Sequence, residues 1–157
     1  MRLFVLFVLL LSTLVMLPAA AAQSTDGTEI VAVVPSQLSA IDDNNARCYE
    51  SSLGSAVADA VRVSLDCDIA VIGGGDLDYG LLPGETTYDE IRHVFIEDRR
   101  IASASVTIKE LRTILENGLS HIKLDRSEKI DESLSAFDGF PQISGFMFFC
   151  DVSAPPG

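Results

Sequence analysis

Residues 47–75, RCYESSLGSAVADAVRVSLDCDIAVIGGG, restrict the fold more than any other stretch of this chain. A helix here runs with little intervening chain into a short apolar strand, which empties into Gly73, Gly74 and Gly75. Ser51 or Ser52 can cap the helix, and Leu53, Val57, Ala60 and Val61 recur at spacings that place them on one face. Gly54 costs such a helix about 1 kcal/mol relative to alanine, so a close backbone approach is expected at that point. The run 69–72 is unbroken and apolar between Asp68 and Gly73, the pattern of a strand buried on both faces and paired in parallel. Helices between such strands predict an α/β fold, a layered mixed sheet with flanking helices. A strand ending in glycines lets a ligand reach the main chain, which makes the glycine loop the first candidate binding site.

The chain has 157 residues, the size of one ordinary domain. Residues 1–22 read as a signal peptide: Arg2 is followed by an apolar run at 3–17, then Pro18 and the small residues Ala19 to Ala22. The run is shorter than the roughly 20 apolar residues a membrane span requires. Cleavage would leave a secreted domain over 23–157 with no membrane attachment. The formal net charge is −12, and the leader holds only one charged residue, Arg2. An acidic surface of this kind excludes nucleic acid as an expected partner. Cys48, Cys67 and Cys150 allow one disulfide with a thiol left over, or three reduced thiols, and spacing does not choose between them.

Elsewhere the run 30–34 predicts a strand ended by Pro35, and Pro83-Gly84 closes a turn. Thr87 with Glu90, and Thr107 with Glu110, have capping-box spacing. The first box starts a short helix through His93. The second starts a helix with Ile108, Leu111, Ile114 and Leu115 as its apolar stripe, ending at Asn117-Gly118. Strands are expected over 101–106, packed closely against a neighbour, and over 143–150, with a surface loop at 125–138.

Few chemistries suit these residues. The glycines lack the spacing of a dinucleotide fingerprint, and Asp76 and Asp78 lack the further ligands of a calcium loop. The two histidines, His93 and His121, accompany no nucleophile motif and cannot furnish a two-metal site. His93 reads as a structural or surface histidine, and His121 is expected to meet helix C-terminal carbonyls.

Taken in order, Arg47 with ESSLGSAVADAV, then DIAVIGGG, PGETTYDEIRHVF, TIKELRTILENGL and FPQISGFMFFCD resemble the C-terminal, substrate-binding domain of the secreted 5′-nucleotidase and UDP-sugar hydrolase family. The resemblance implies a layered α/β domain that holds a nucleotide or nucleoside. It also implies that hydrolysis, with two divalent metals, belongs to a separate N-terminal metallophosphatase domain. No cofactor and no catalytic residue is therefore expected in this chain. Arg47 takes the place of an arginine that contacts phosphate, a group its forked donors suit. Gly73, Gly74 and Gly75 take the place of the family's loop, and Phe140 that of a phenylalanine stacking on the base.

Other recognition groups differ. The family has an asparagine before the glycines and an Ile-Arg pair after them, where this chain has Ile72 and Asp76-Leu77. A second stacking phenylalanine aligns with Glu97, and Phe95 reaches that place only if the register slips by two. Family domains continue past Asp151, so an incomplete sheet edge is expected, open to a protein partner or a second copy. The resulting expectation is a secreted nucleotide- or nucleoside-binding domain that is not hydrolytic by itself. The alternatives are a non-enzymatic protein-interaction module on the same scaffold, or a fragment of a full-length 5′-nucleotidase.

Overall fold

Ser51 caps the first helix: in the computed structural model, which describes residues 27–40, 45–97 and 100–153, its Oγ accepts a hydrogen bond from Gly54 N at 3.0 Å. The leader at 1–22, the terminal turn at 154–157 and parts of two polar connections lie outside the described residues. Helix α1 (Ser52–Ser64) follows the cap and buries Leu53, Gly54 and Ala58, with Val57 half-buried beside them. Full burial of a leucine such as Leu53 stabilises by about 2 kcal/mol. The chain then crosses Asp66, in the left-handed region at φ 50°, and enters strand β2 (Ala70–Gly73).

β2 pairs antiparallel with β4 (Pro141–Ser144), from Ala70 opposite Ser144 to Gly73 opposite Pro141. The α/β class is as expected, but the neighbour of β2 is antiparallel. Its residues after Ala70 are only half-buried, as on a sheet with one covered face. Strand β1 (Ile30–Val34) pairs antiparallel with β3 (Gly84–Thr87), a strand not anticipated because Gly-Glu-Thr-Thr carries little apolar signal. α1 packs on both β2 and β4, so helix and ladder form the two layers that hold the glycine loop.

Both capping boxes form, with Thr87 and Glu90 opening α2 (Tyr88–Arg92) and Thr107 and Glu110 opening α3 (Ile108–Leu119). α3 runs past Asn117-Gly118. Gly118 is buried there, because a Cβ on it would lie 2.8 Å from the carbonyl oxygen of Gly139. The stripe on α3 is only partly covered: Leu115 is buried and Leu111 half-buried, while Ile108 and Ile114 are exposed.

Three expectations change. Residues 101–106 form no strand and are exposed throughout, since no described segment offers them a ladder. The last strand begins earlier, at Pro141, and stops at Ser144 because Gly145, at φ 87°, turns away against the carbonyl of Asp68. The loop at 125–138 contains the short helix α4 (Glu132–Ser135), capped by Asp131, which accepts from Ser133 N at 3.1 Å.

The layers are joined by Gln142, which is completely buried. Its Oε1 accepts from Ser51 N at 3.0 Å and from Ser51 Oγ at 3.3 Å. Its Nε2 donates to Ala46 O at 2.8 Å and Tyr49 O at 2.7 Å. A Cβ at Gly54 would fall on the Gln142 side chain, which is the close approach the helical glycine implied. At the far end of α1, Arg62 Nε donates to Ser144 Oγ at 2.8 Å, and that hydroxyl donates to Asp59.

Gln142→Leu keeps the volume but strands a buried amide and two carbonyls, and is expected to cost about 3 kcal/mol. Urea unfolding measures this, and a loss below about 1 kcal/mol would contradict the role given to Gln142. Acid sensitivity should come partly from the caps. Hydrogen bonds from the Thr87 and Thr107 backbones, then from their hydroxyls, hold Glu90 and Glu110 below their ordinary value of 4.5. Because the folded values are the lower ones, this stability is present above the ordinary value and disappears as pH falls through the lowered values. The urea midpoint is expected to hold near neutrality and drop below about pH 5, with a shallower drop for Glu110→Gln.

Candidate functional site

The glycine loop folds as a 3-10 turn at Gly74–Asp76, directly after β2, with Gly74 and Gly75 buried. Both amides are committed within the protein, Gly74 N to Phe140 O at 2.8 Å and Gly75 N to Asp138 O at 2.9 Å. A Cβ at Gly74 would fall on the carbonyl of Ala46, and one at Gly75 on the backbone and side chain of Asp138. One at Gly73 would lie 2.7 Å from Asp138 O. The close approach foreseen for a ligand is thus made by the chain itself. The glycines draw together the turn carrying Arg47 and the segment 137–140 before β4.

Arg47 sits in a tight turn in which its own amide donates to Asn45 Oδ1 at 3.0 Å, and Cys48 N and Tyr49 N both reach Asn45 O at 2.9 Å. Its carbonyl accepts from Phe137 N at 3.0 Å. Its Nε donates to Asp138 Oδ1 at 2.9 Å, with side-chain exposures of 29% for Arg47 and 83% for Asp138. Among the described residues the two terminal guanidinium nitrogens make no hydrogen bond, so the fork still has donors to give.

Phe140, in the place of the family's stacking phenylalanine by resemblance, is 8% exposed. It is buried with Cys48 and Ile122, and Tyr49, Leu119 and Ile130 close around it. Burial, with a smaller contribution from Glu132, pushes the Cys48 thiol up to about 11, so that cysteine stays protonated as part of the core. Cys67 is half-buried and Cys150 exposed, and all three are free thiols. Among the exposed aromatic rings of the described residues, Tyr79 (66%) follows the glycine loop closely in sequence, and two further rings lie near it. Phe95 is 40% exposed and is brought to the loop by a bridge between its backbone and Leu77, beside a concavity shared with Arg92 and Ile96. Phe137, half-buried, stacks on His121 with centroids 4.0 Å apart.

His121 therefore does not cap α3. The carbonyl of Asn117 is taken by Ser120 Oγ at 2.8 Å, and His121 Nδ1 meets that hydroxyl at 3.2 Å. His93 Nδ1 lies 2.8 Å from Asp89 O, a structural contact within the end of α2. The residues missed by sequence reasoning are Asp138 and Phe137, in a segment read as polar loop. Their proximity to Arg47 depends on the glycines, and spacing along the chain carries no sign of it. Among the described residues no three His, Cys, Asp or Glu side chains converge as a metal site, and no helix is long and apolar enough to cross a membrane.

Comparisons with known proteins bear on the family and the fold. Residues 23–157 match the family described as 5′-nucleotidase, C-terminal domain. The trifunctional nucleotide phosphoesterase protein YfkN of Bacillus subtilis (strain 168) is 25% identical over 117 residues, which are 72% of this chain and 7% of that protein. The crystal structure of a 5′-nucleotidase precursor from Thermus thermophilus superposes with a TM-score of 0.59 at 22% identity, covering 82% of this chain and 24% of that one. The chain thus spans a small part of either relative's length.

Proposed function

The chain belongs to the 5′-nucleotidase C-terminal domain family, and on that premise we propose that it is a secreted domain that binds a nucleotide or nucleoside and does not hydrolyse it alone. The observation that carries the binding reading is Arg47: a partly exposed guanidinium whose terminal nitrogens make no hydrogen bond among the described residues, fixed at the glycine loop by its own turn and by Asp138. A fork of this kind suits the oxygens of a phosphate or the carbonyl edge of a base. The exposed ring of Phe95 at the other end of the same loop offers a stacking face for any base. Hydrolysis and its two divalent metals are assigned to a metallophosphatase domain of the kind the family pairs with this one. That division is consistent with the small share of the Bacillus and Thermus relatives that this chain covers. Secretion rests on the leader-like pattern of residues 1–22.

A second reading, contact with another polypeptide, is favoured by one observation. Residues 101–106 are exposed, and they lead into Ile108 and Ile114, apolar side chains of α3 that the described residues leave uncovered. Such a surface suits a protein partner or a second copy of the chain.

Calorimetric titration of the purified chain with AMP, UMP and adenosine at millimolar ligand is expected to give a binding heat. Arg47→Ala is expected to weaken adenosine about tenfold and the nucleotides at least as much. Absence of heat from all three ligands would refute the binding reading, and phosphate release from AMP with added Mn²⁺ would refute the non-hydrolytic one. Light scattering is expected to show a mass above that of the monomer, or an increase with a partner. A strictly monomeric ligand-binding protein would remove the second reading.

A further inference from the structure

The Arg47 guanidinium is not presented alone. Asp138 is seated against Gly75, where any side chain on the loop would collide with it, and its Oδ1 accepts from Arg47 Nε at 2.9 Å. The rest of Asp138 is open, with 83% of its side chain exposed beside the glycine loop. A phosphate approaching the remaining donors of Arg47 meets this fixed negative charge within a few ångströms, in a chain whose net charge is −12. An uncharged nucleoside meets no such repulsion, and its hydroxyls can donate to the free oxygen of the carboxylate.

Building on the reading of Arg47 as a ligand contact, we propose that Asp138 is a specificity-determining residue that turns this site toward nucleosides and away from their phosphorylated forms. The carboxylate cancels most of the local positive charge and holds the guanidinium by one edge. The arginine then acts as a neutral pair that hydrogen-bonds a ligand, and no longer as an isolated cation that captures an anion. Glycine at 75 is the condition for this arrangement, since a Cβ there would displace the backbone of Asp138 as well as its side chain.

The test is a calorimetric comparison of adenosine and AMP on the full chain, for wild type, Asp138→Asn and Asp138→Glu, at low and moderate salt. Wild type is expected to bind adenosine more tightly than AMP. Asp138→Asn is expected to raise AMP affinity about fivefold, by removing one like charge at a distance of a few ångströms, and to leave adenosine within about twofold. Asp138→Glu, which keeps the charge, is expected to retain the wild-type order. The Asn effect should shrink as salt rises, which a purely structural role would not produce. AMP binding wild type as tightly as adenosine, or unchanged by Asp138→Asn, overturns the inference and leaves nucleotide binding in place. A variant that loses both ligands together likewise overturns it, by showing Asp138 to be structural. If no ligand binds wild type, the binding reading itself fails and this inference falls with it.

Discussion

The amide of Gln142 reaches three residues of the single stretch 46–51 from within one completely buried side chain: Ser51 at the start of α1, the carbonyl of Ala46 and the carbonyl of Tyr49. An amide has two donors and two acceptor directions, and here all are used. That completeness matters energetically, because each partner is itself a backbone or capping group that would be costly to bury alone. The same side chain explains Gly54, which leaves room for it, and fixes the turn that holds Arg47. Tertiary structure around the candidate site is therefore organised from β4, a strand of four residues.

The glycine loop shows how a sequence feature associated with ligands can serve the fold first. Its two buried amides face carbonyls of the segment 137–140, and its missing side chains admit the backbone at Ala46 and Asp138. What the loop contributes to recognition is indirect. It places an arginine and an aspartate side by side although 91 positions separate them. The side chains left at the surface beside the loop are Arg47 and Asp138, with Phe95 bridged to Leu77 just after it.

Features governed by local chemistry were legible in the sequence. Ser51, Thr87 and Thr107 all cap helices, because a cap depends on residues within one turn of each other. Gly54 was legible for the same reason, as an anomaly inside a strong helical pattern. Arg47 stands beside the loop, its amide nitrogen 3.1 Å from where a Cβ on Gly74 would lie. Pairing was less legible. The apolar run 69–72 does not say which neighbour it meets, and an antiparallel partner far along the chain looks the same in sequence as a parallel one. Phe140 and Phe137 illustrate the remaining gap: two phenylalanines three apart, one in the core with Cys48 and one stacked on His121. Composition cannot separate them, since the difference arises from the turn at Asp138-Gly139.

Residues 101–108, IASASVTI, acquire a different meaning once their exposure is known. They contain no charge, no proline and no glycine, and in the folded chain 101–106 belong to no ladder. A segment with these properties is a template for stacking against identical copies of itself in cross-β register. The flanking residues oppose this: Arg100 stands before the stretch and Lys109 directly after it, so in-register stacking would line up like charges at both ends. The two cations therefore set the cost of bringing this uncharged stretch against a copy of itself.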